Sequence, residues 1–249
     1  IRVPDDSSLG YTAITAQVAY YGESAIFLED VANPTPVASG TFSFSSAEYA
    51  AWDATLTAQT MPTIKSYFGD FAYPSGLGIE ARLGLTDTDR IAVMVTKEVN
   101  KTTAVGFVNS ADLYSRSTYP ASDMMEIFYG LAPDPTGIYD AGVKTQAYLV
   151  AEYPTLIAHE TVHILQNAQE IWNFWPNVAP KTQWEQEGAA NLAEQLVGNT
   201  VLGHGGSGQN LGQTEFLEGY GGDKWYNNWA VDLAYYLGYE TSTTKVDNP

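Results

Sequence analysis

The chain has 249 residues, of which 45% are hydrophobic and 16% charged, a composition typical of a globular protein that buries a substantial core. Its 29 acidic and 11 basic residues give a formal net charge of −18, which argues against nucleic acid or an anionic membrane surface as a partner. No apolar run is long enough to span a membrane, and without cysteine the fold must be stabilised by packing and by any bound metal.

The first third of the chain predicts a small β unit followed by a helix. Two runs rich in β-forming residues, 12–21 and 24–30, are separated by a short turn and are typical of a hairpin. Further on, Ser45 and Glu48 have the spacing of a capping box, which predicts that a helix begins there. Pro62 is expected either to kink that helix or to start a second short one.

The middle of the chain predicts strands. The clearest candidates are Arg90–Thr96, Ala104–Val108 and Met125–Tyr129, because each is short and rich in β-branched or aromatic residues. The segment Leu131–Val143 is rich in proline, glycine and aspartate and is expected to be a loop.

The last third is predicted to be helical. Pro154 suits the first turn of a helix that extends to about residue 172. A second capping box, residues 182–185, predicts another helix that stops at Gly198. Asp223 is expected to cap a third helix near the end of the sequence.

The segment His159-Glu160-Thr161-Val162-His163 is the strongest functional signal in the chain. Residues four apart lie on one face of a helix, so the imidazoles of His159 and His163 can bind one metal ion. Glu160 projects from the neighbouring face and can reach a water molecule at that metal. Two of the three histidines in the chain have this spacing, which predicts a catalytic metal site, with Zn²⁺ as the expected metal.

A catalytic zinc site needs three protein ligands and one open position. A third histidine at the short spacing of the metzincins is excluded, because positions 166 and 169 are both glutamine. Glu187, which follows His163 by 24 residues, is the better candidate, and Glu185 is its rival although the capping box engages the Glu185 side chain. Glu194, two turns after Glu187, is a candidate to orient a ligand imidazole.

Three further groups are weaker candidates for function. Asp87-Thr88-Asp89 and the pair Asp134 and Asp140 supply hard oxygen ligands in loops, so a structural Ca²⁺ ion is an open alternative there. His204 lies in a glycine-rich loop, where it is either a transition-state hydrogen-bond donor or an ordinary exposed histidine.

The motif H-E-T-V-H at 159–163 and the segment W-E-Q-E-G-A-A-N-L-A-E at 184–194 resemble the gluzincin zinc metallopeptidases. Within that group the chain is most similar to the hyicolysin-like secreted neutral metallopeptidases. The resemblance implies an α+β, zincin-like fold of two lobes, residues 1–172 with the sheet and the active-site helix and residues 173–249 with the third zinc ligand. In the same comparison, the strand Glu126–Tyr129 resembles the edge strand that lines the substrate cleft of a zincin.

The same resemblance implies an oxyanion-stabilising side chain beyond the second helix, with Tyr226 as the first candidate and Tyr220 behind it. The chain has no G-x-M-E-N segment like that of the related aminopeptidases, which favours cleavage inside a peptide or protein substrate. The expected reaction is hydrolysis by a water activated at the metal, with Glu160 as general base. The oligomeric state stays open.

Composition also suggests where the protein acts. Few lysines, many Tyr, Thr, Ser and Gly residues, and a first residue that is not methionine are typical of an exported and processed chain. Two other functions remain open at this point. One is a zinc hydrolase that acts on a bond other than a peptide; the other is a zincin-fold surface or binding domain, although such a domain would not need the base Glu160.

Overall fold

The computed structural model describes residues 1–4, 10–34, 42–70, 79, 83, 90–174, 181–204 and 224–228. These residues form an α+β structure in which helices pack on a five-stranded mixed sheet, and a separate two-stranded sheet contains β1 and β2. The strands are β1 Arg2–Pro4, β2 Tyr11–Ala13, β3 Ala16–Tyr21, β4 Ala25–Asp30, β5 Ile91–Thr96, β6 Gly106–Val108 and β7 Ile127–Leu131. The main helices are α1 Ser46–Thr55, α2 Met61–Phe68, α3 Gln146–Ala168 and α4 Gln183–Leu202.

The five-stranded sheet has the order β3-β4-β5-β7-β6. Strands β4, β5 and β7 are mutually parallel and fully buried, as their nearly continuous apolar sequences require, whereas β3 and β6 pair antiparallel at the two edges. The prediction that Glu126–Tyr129 is an edge strand was therefore wrong, because β7 lies between β5 and β6. Among the strands that the structure describes, the edge on that side of the sheet is β6.

An aromatic core fills the space between the sheet and helices α1 and α3. The rings of Trp52 and Tyr153 stack with their centroids 4.5 Å apart, and Phe44 packs edge-on against both. The Tyr153 hydroxyl donates a hydrogen bond of 2.7 Å to the Leu131 carbonyl at the end of β7. These contacts fix α3, which carries the predicted metal motif, against the sheet.

The first helical region follows the prediction closely. The capping box of Ser45 and Glu48 is present at the start of α1, and the predicted hairpin is formed by β3 and β4. A π-helical segment, Leu56–Thr60, joins α1 to α2, and Pro62 stands in the first turn of α2. Of the two alternatives for Pro62, the start of a second short helix is the one that occurs.

Helix α3 begins about two turns earlier than the sequence suggested. Its cap is Thr145, whose side chain accepts a hydrogen bond from the Tyr148 amide, so the expectation that Pro154 lies in the first turn was wrong. Pro154 has no N–H to donate to the carbonyl of Val150. The indole N–H of Trp52 donates to that carbonyl instead, at 3.2 Å, so the carbonyl keeps a hydrogen-bond donor.

Helix α4 begins at the predicted capping box of Thr182 and Glu185 but does not stop at Gly198. It continues to Leu202 and ends at Gly203, whose left-handed backbone has a φ of 73°. Gly198 has a different role, since a Cβ atom there would lie 2.7 Å from the Cβ of Trp225. It is a position of close packing inside the helix, so the predicted stop was wrong.

Several predicted features lie outside the described residues. They are the possible calcium ligands Asp87-Thr88-Asp89, the alternative oxyanion donor Tyr220, the loop beyond His204, and the helix predicted from Asp223 except for residues 224–228. Among the helices that the structure describes, none combines the length and the apolar character that a membrane span requires.

Candidate metal centre

The two helices that carry the predicted ligands pack directly against each other. Ala190 and Ala193 of α4 are fully buried against Val162 and Leu165 of α3. Small side chains on one helix let the two backbones approach, and this brings the start of α4 next to the histidines. Gly188 does not take part in the close contact, because a Cβ atom there would meet nothing within 4 Å.

Three ligand atoms converge between the helices. The Nε2 atoms of His159 and His163 are 3.1 Å apart, and Oε2 of Glu187 lies 3.3 Å from the first and 3.7 Å from the second. A circle through these three atoms has a radius of about 2.0 Å, the length of the metal–ligand bonds in zinc sites. Within the described residues this is the one group of three that could hold a metal ion.

Glu194 contacts the imidazole of His159 at Nδ1, the ring nitrogen that is not a candidate metal ligand, as the sequence suggested. Its Oε1 lies 2.7 Å from Nδ1 of His159, so the ring can donate its Nδ1 proton to the carboxylate and keep the Nε2 lone pair for a metal. The side-chain amide of Asn228 donates to both oxygens of Glu194 at 3.0 Å. The sequence did not predict a role for Asn228, because this residue reaches the site only through the fold.

The acidic neighbours change the ionisation of the ligands. Burial lowers the pKa of His159, but hydrogen bonds to Glu187 and Glu194 outweigh this effect and raise the pKa to about 10. Hydrogen bonds to His159 and His163 hold the pKa of Glu187 well below its usual range. Burial raises the pKa of Glu194 despite its contact with His159. A metal ion that binds here must therefore displace a proton from His159.

Glu160 stands beside the ligands with one carboxylate oxygen unpaired. Only 4% of the residue is exposed, and Oε2 has no hydrogen-bond partner among the residues that the structure describes. Burial is the main reason that the pKa of Glu160 is raised to about 7, with the two histidines acting in the opposite direction. A carboxylate with these properties can accept a proton from a water molecule that enters the site.

The site opens into a cleft whose far wall is the edge strand β6. All three residues of β6 line the cleft opposite the two histidines, Glu160 and Glu187. Asn167 and Gln186 also line it, and both residues border a neighbouring cavity that includes Ser110 and Pro4. Asn167 could have been found from the sequence, since it lies four residues after His163 on the same helical face.

The structure places Tyr226 apart from the residues that line this cleft. The side chain is fully buried against Ala158 and Val197, and its hydroxyl contacts Oδ1 of Asn199 at 2.9 Å and Nδ1 of His204 at 2.8 Å. Its predicted role in stabilising an oxyanion is neither confirmed nor contradicted by these contacts. His204 is exposed, as expected of a loop histidine, and its ring stacks on that of Tyr226.

The aspartates near residue 134 organise a turn. The carboxylate of Asp134 accepts hydrogen bonds from the Thr136 hydroxyl and from the amides of Gly137 and Tyr139, whereas Asp140 is exposed. Loop donors thus already engage both oxygens of the carboxylate that was a candidate calcium ligand. A structural calcium ion stays a prediction, since the described residues contain no cluster of aspartates that could hold one.

No family model matches this chain, and no curated protein is significantly similar to it. What can be said of its chemistry therefore comes from these side chains and their geometry. They define an α+β protein with a candidate metal centre of two histidines and a glutamate, next to a buried acid and an open cleft.

Proposed function

We propose that the protein is a secreted, zinc-dependent endopeptidase of the gluzincin type, with a two-lobed zincin fold divided near residue 172. One observation carries the proposal: the ligand atoms of His159, His163 and Glu187 converge beside Glu160, in a cleft with an edge strand along one wall. Secretion is proposed from the composition alone, which is poor in lysine and rich in small polar residues and tyrosine.

The chemistry divides between the metal and the acid. A bound zinc ion would supply a Lewis acid that polarises the scissile carbonyl and lowers the pKa of a water molecule. Glu160 accepts a proton through its unpaired Oε2 as the water oxygen attacks the carbonyl carbon. Glu160 then passes this proton to the amide nitrogen as the C–N bond breaks, so the amine leaves neutral. Glu194 keeps the imidazole of His159 in the tautomer that leaves Nε2 free.

Strand β6 is the proposed docking site for the substrate backbone. An edge strand has unpaired N–H and C=O groups, so an extended peptide can add to it as a further strand. Because β6 lines the same cleft as the histidines, a peptide paired with it would lie next to the metal centre and could present a carbonyl to it. Backbone pairing of this kind does not require a chain end, which is consistent with cleavage inside a chain.

Tyr226 remains the proposed oxyanion donor, on the condition that its hydroxyl changes hydrogen-bond partners. Its hydroxyl is engaged by Asn199 and His204, so it would have to leave both partners to reach a reacting carbonyl.

The proposal is tested by cleavage of a general protein substrate with and without a chelator. We expect cleavage that chelation abolishes and zinc restores. Glu160→Gln should keep stoichiometric zinc and lose about 10²-fold or more in turnover, because it removes the base but not a ligand. Glu23→Gln, the same change at an exposed carboxylate that is not among the residues lining the cleft, is the matched control and should behave like the parent.

A peptide blocked at both ends separates internal cleavage from removal of terminal residues. The blocked peptide should be cut, and cleavage only of peptides with a free amino terminus would contradict the endopeptidase proposal. Zinc binding without cleavage of any peptide would favour the surface or binding domain. Hydrolysis of esters but not of peptides would favour a different zinc hydrolase.

A further inference from the structure

Residues 224–228 bridge the two helices that carry the ligands. At one end of this turn, Nζ of Lys224 lies 2.6 Å from the carboxylate of Glu152 on α3 and 4.3 Å from the centroid of the Tyr148 ring. At the other end, the amide of Asn228 donates to both oxygens of Glu194 on α4. The turn thus contacts α3 and α4 through charged or strongly polar groups on each side.

The centre of the turn is fixed by packing. Trp225 and Tyr226 are buried against both helices, with Ala158 from α3 and Val197 from α4. Gly198 permits this contact, since any side chain at that position would collide with Trp225. Because this packing fixes the backbone of the turn, the side-chain amide of Asn228 has little freedom to move away from Glu194.

Glu194 needs that amide because of where its carboxylate lies. The residue is 3% exposed, and Oε1 already accepts from His159. Within the described residues, the amide of Asn228 is the hydrogen-bond donor to Oε2. A buried carboxylate that loses a donor turns towards another one. This change disturbs the hydrogen bond that orients His159.

We propose that Asn228 is a positioning residue of the metal centre: it holds Glu194 in the orientation that fixes the imidazole of His159, and so sets the affinity of the site for zinc. The inference rests on the metal site of the proposed function but not on peptidase activity. Residues that orient a metal-binding histidine typically change metal affinity 10- to 100-fold when they are replaced. Asn228 acts one contact further out, through Glu194, and its effect should fall within or near that range.

The test compares two substitutions of the same chemistry at neighbouring positions. Asn228→Asp keeps the size of the side chain but replaces the donor by a second carboxylate next to Glu194. Asn227→Asp adds the same charge one residue earlier. The zinc dissociation constants of the metal-stripped proteins are measured by competition with a chromophoric chelator, at fixed pH and ionic strength.

We expect Asn228→Asp to bind zinc about 10- to 100-fold more weakly than the parent, and Asn227→Asp to bind nearly as tightly as the parent. The visible absorption bands of the cobalt-substituted proteins give a second readout, which should change in Asn228→Asp alone because the orientation of a ligand changes. Equal affinities for all three proteins would overturn the inference while leaving the metal site intact. Equal losses in both variants would also overturn it, since a general charge effect would then be sufficient. A parent that binds no zinc would overturn the metal site itself.

Discussion

Replacement of Glu126 by glutamine should stabilise the protein at neutral pH much more than at pH 4.5. Glu126 directly precedes β7 and is 1% exposed, and within the described part of the chain neither oxygen of its carboxyl group has a hydrogen-bond partner. Burial therefore raises its pKa well above the usual value. The folded protein keeps this carboxyl group protonated over a pH range in which the unfolded chain has already released the proton.

The sign and size of the effect follow from this difference in pKa. Above about pH 4.3 the unfolded chain ionises Glu126, whereas the folded chain does not until the pH reaches the raised pKa. In that interval the folded state binds one proton more than the unfolded state, so the free energy of unfolding falls as the pH rises, by about 1.4 kcal/mol per pH unit. Glutamine has no proton to lose, and the variant should not show this part of the decline.

Urea unfolding at several pH values between 4.5 and 7.5, followed by tryptophan fluorescence, measures the effect. The difference in unfolding free energy between Glu126→Gln and the parent should grow with pH, and the metal centre contributes equally to both proteins. Glu126→Met also lacks the titrating group, so its difference in unfolding free energy from the parent should grow with pH in the same way. This variant separates the loss of the carboxyl group from any effect of the glutamine amide. A difference that is constant across this pH range would mean that the carboxylate is ionised in the folded protein, and would refute the reasoning.

Two further predictions concern the metal centre and its surroundings. Glu187→Ala should abolish stoichiometric zinc in metal analysis, because it removes one of three converging ligands. Glu185→Ala is the control and should retain zinc, since that carboxylate caps α4. Full zinc and full activity in Glu187→Ala would exclude Glu187 as a ligand. Tyr226→Phe should lower the free energy of unfolding by about 1–3 kcal/mol, because it leaves the buried side-chain oxygen of Asn199 without the hydroxyl donor. A large loss of kcat in Tyr226→Phe at unchanged stability would instead support the oxyanion role.

Local signals in the sequence predicted much of this structure. Both capping boxes occur where Ser45 and Thr182 indicated, because a cap depends only on residues within one helical turn. The spacing of His159 and His163 brings their ring nitrogens together for the same reason, since helical geometry alone places residues four apart on one face. Glu187 could be proposed only as a candidate, because its position depends on how two helices pack.

The wrong predictions share a cause, which is that a distant residue decides the outcome. Pro154 is tolerated inside α3 because Trp52, far away in sequence, donates to the carbonyl that the proline leaves free. Gly198 does not end α4, because it makes room for Trp225. The edge strand was misassigned because the order of strands in a sheet depends on pairings that strand sequences do not encode locally.

The same dependence on distant contacts applies to the metal centre as a whole. Metal–ligand bonds tolerate deviations of only about 0.2 Å, so a site with ligands from two helices needs the relative position of those helices to be fixed to similar precision. The motif on α3 cannot supply that, because it positions only His159 and His163. Packing of Ala190 and Ala193 sets the distance between the helices, and the turn at 224–228 contacts both of them near the site. A substitution that loosens this packing should therefore weaken zinc binding even though all three ligand residues are still present.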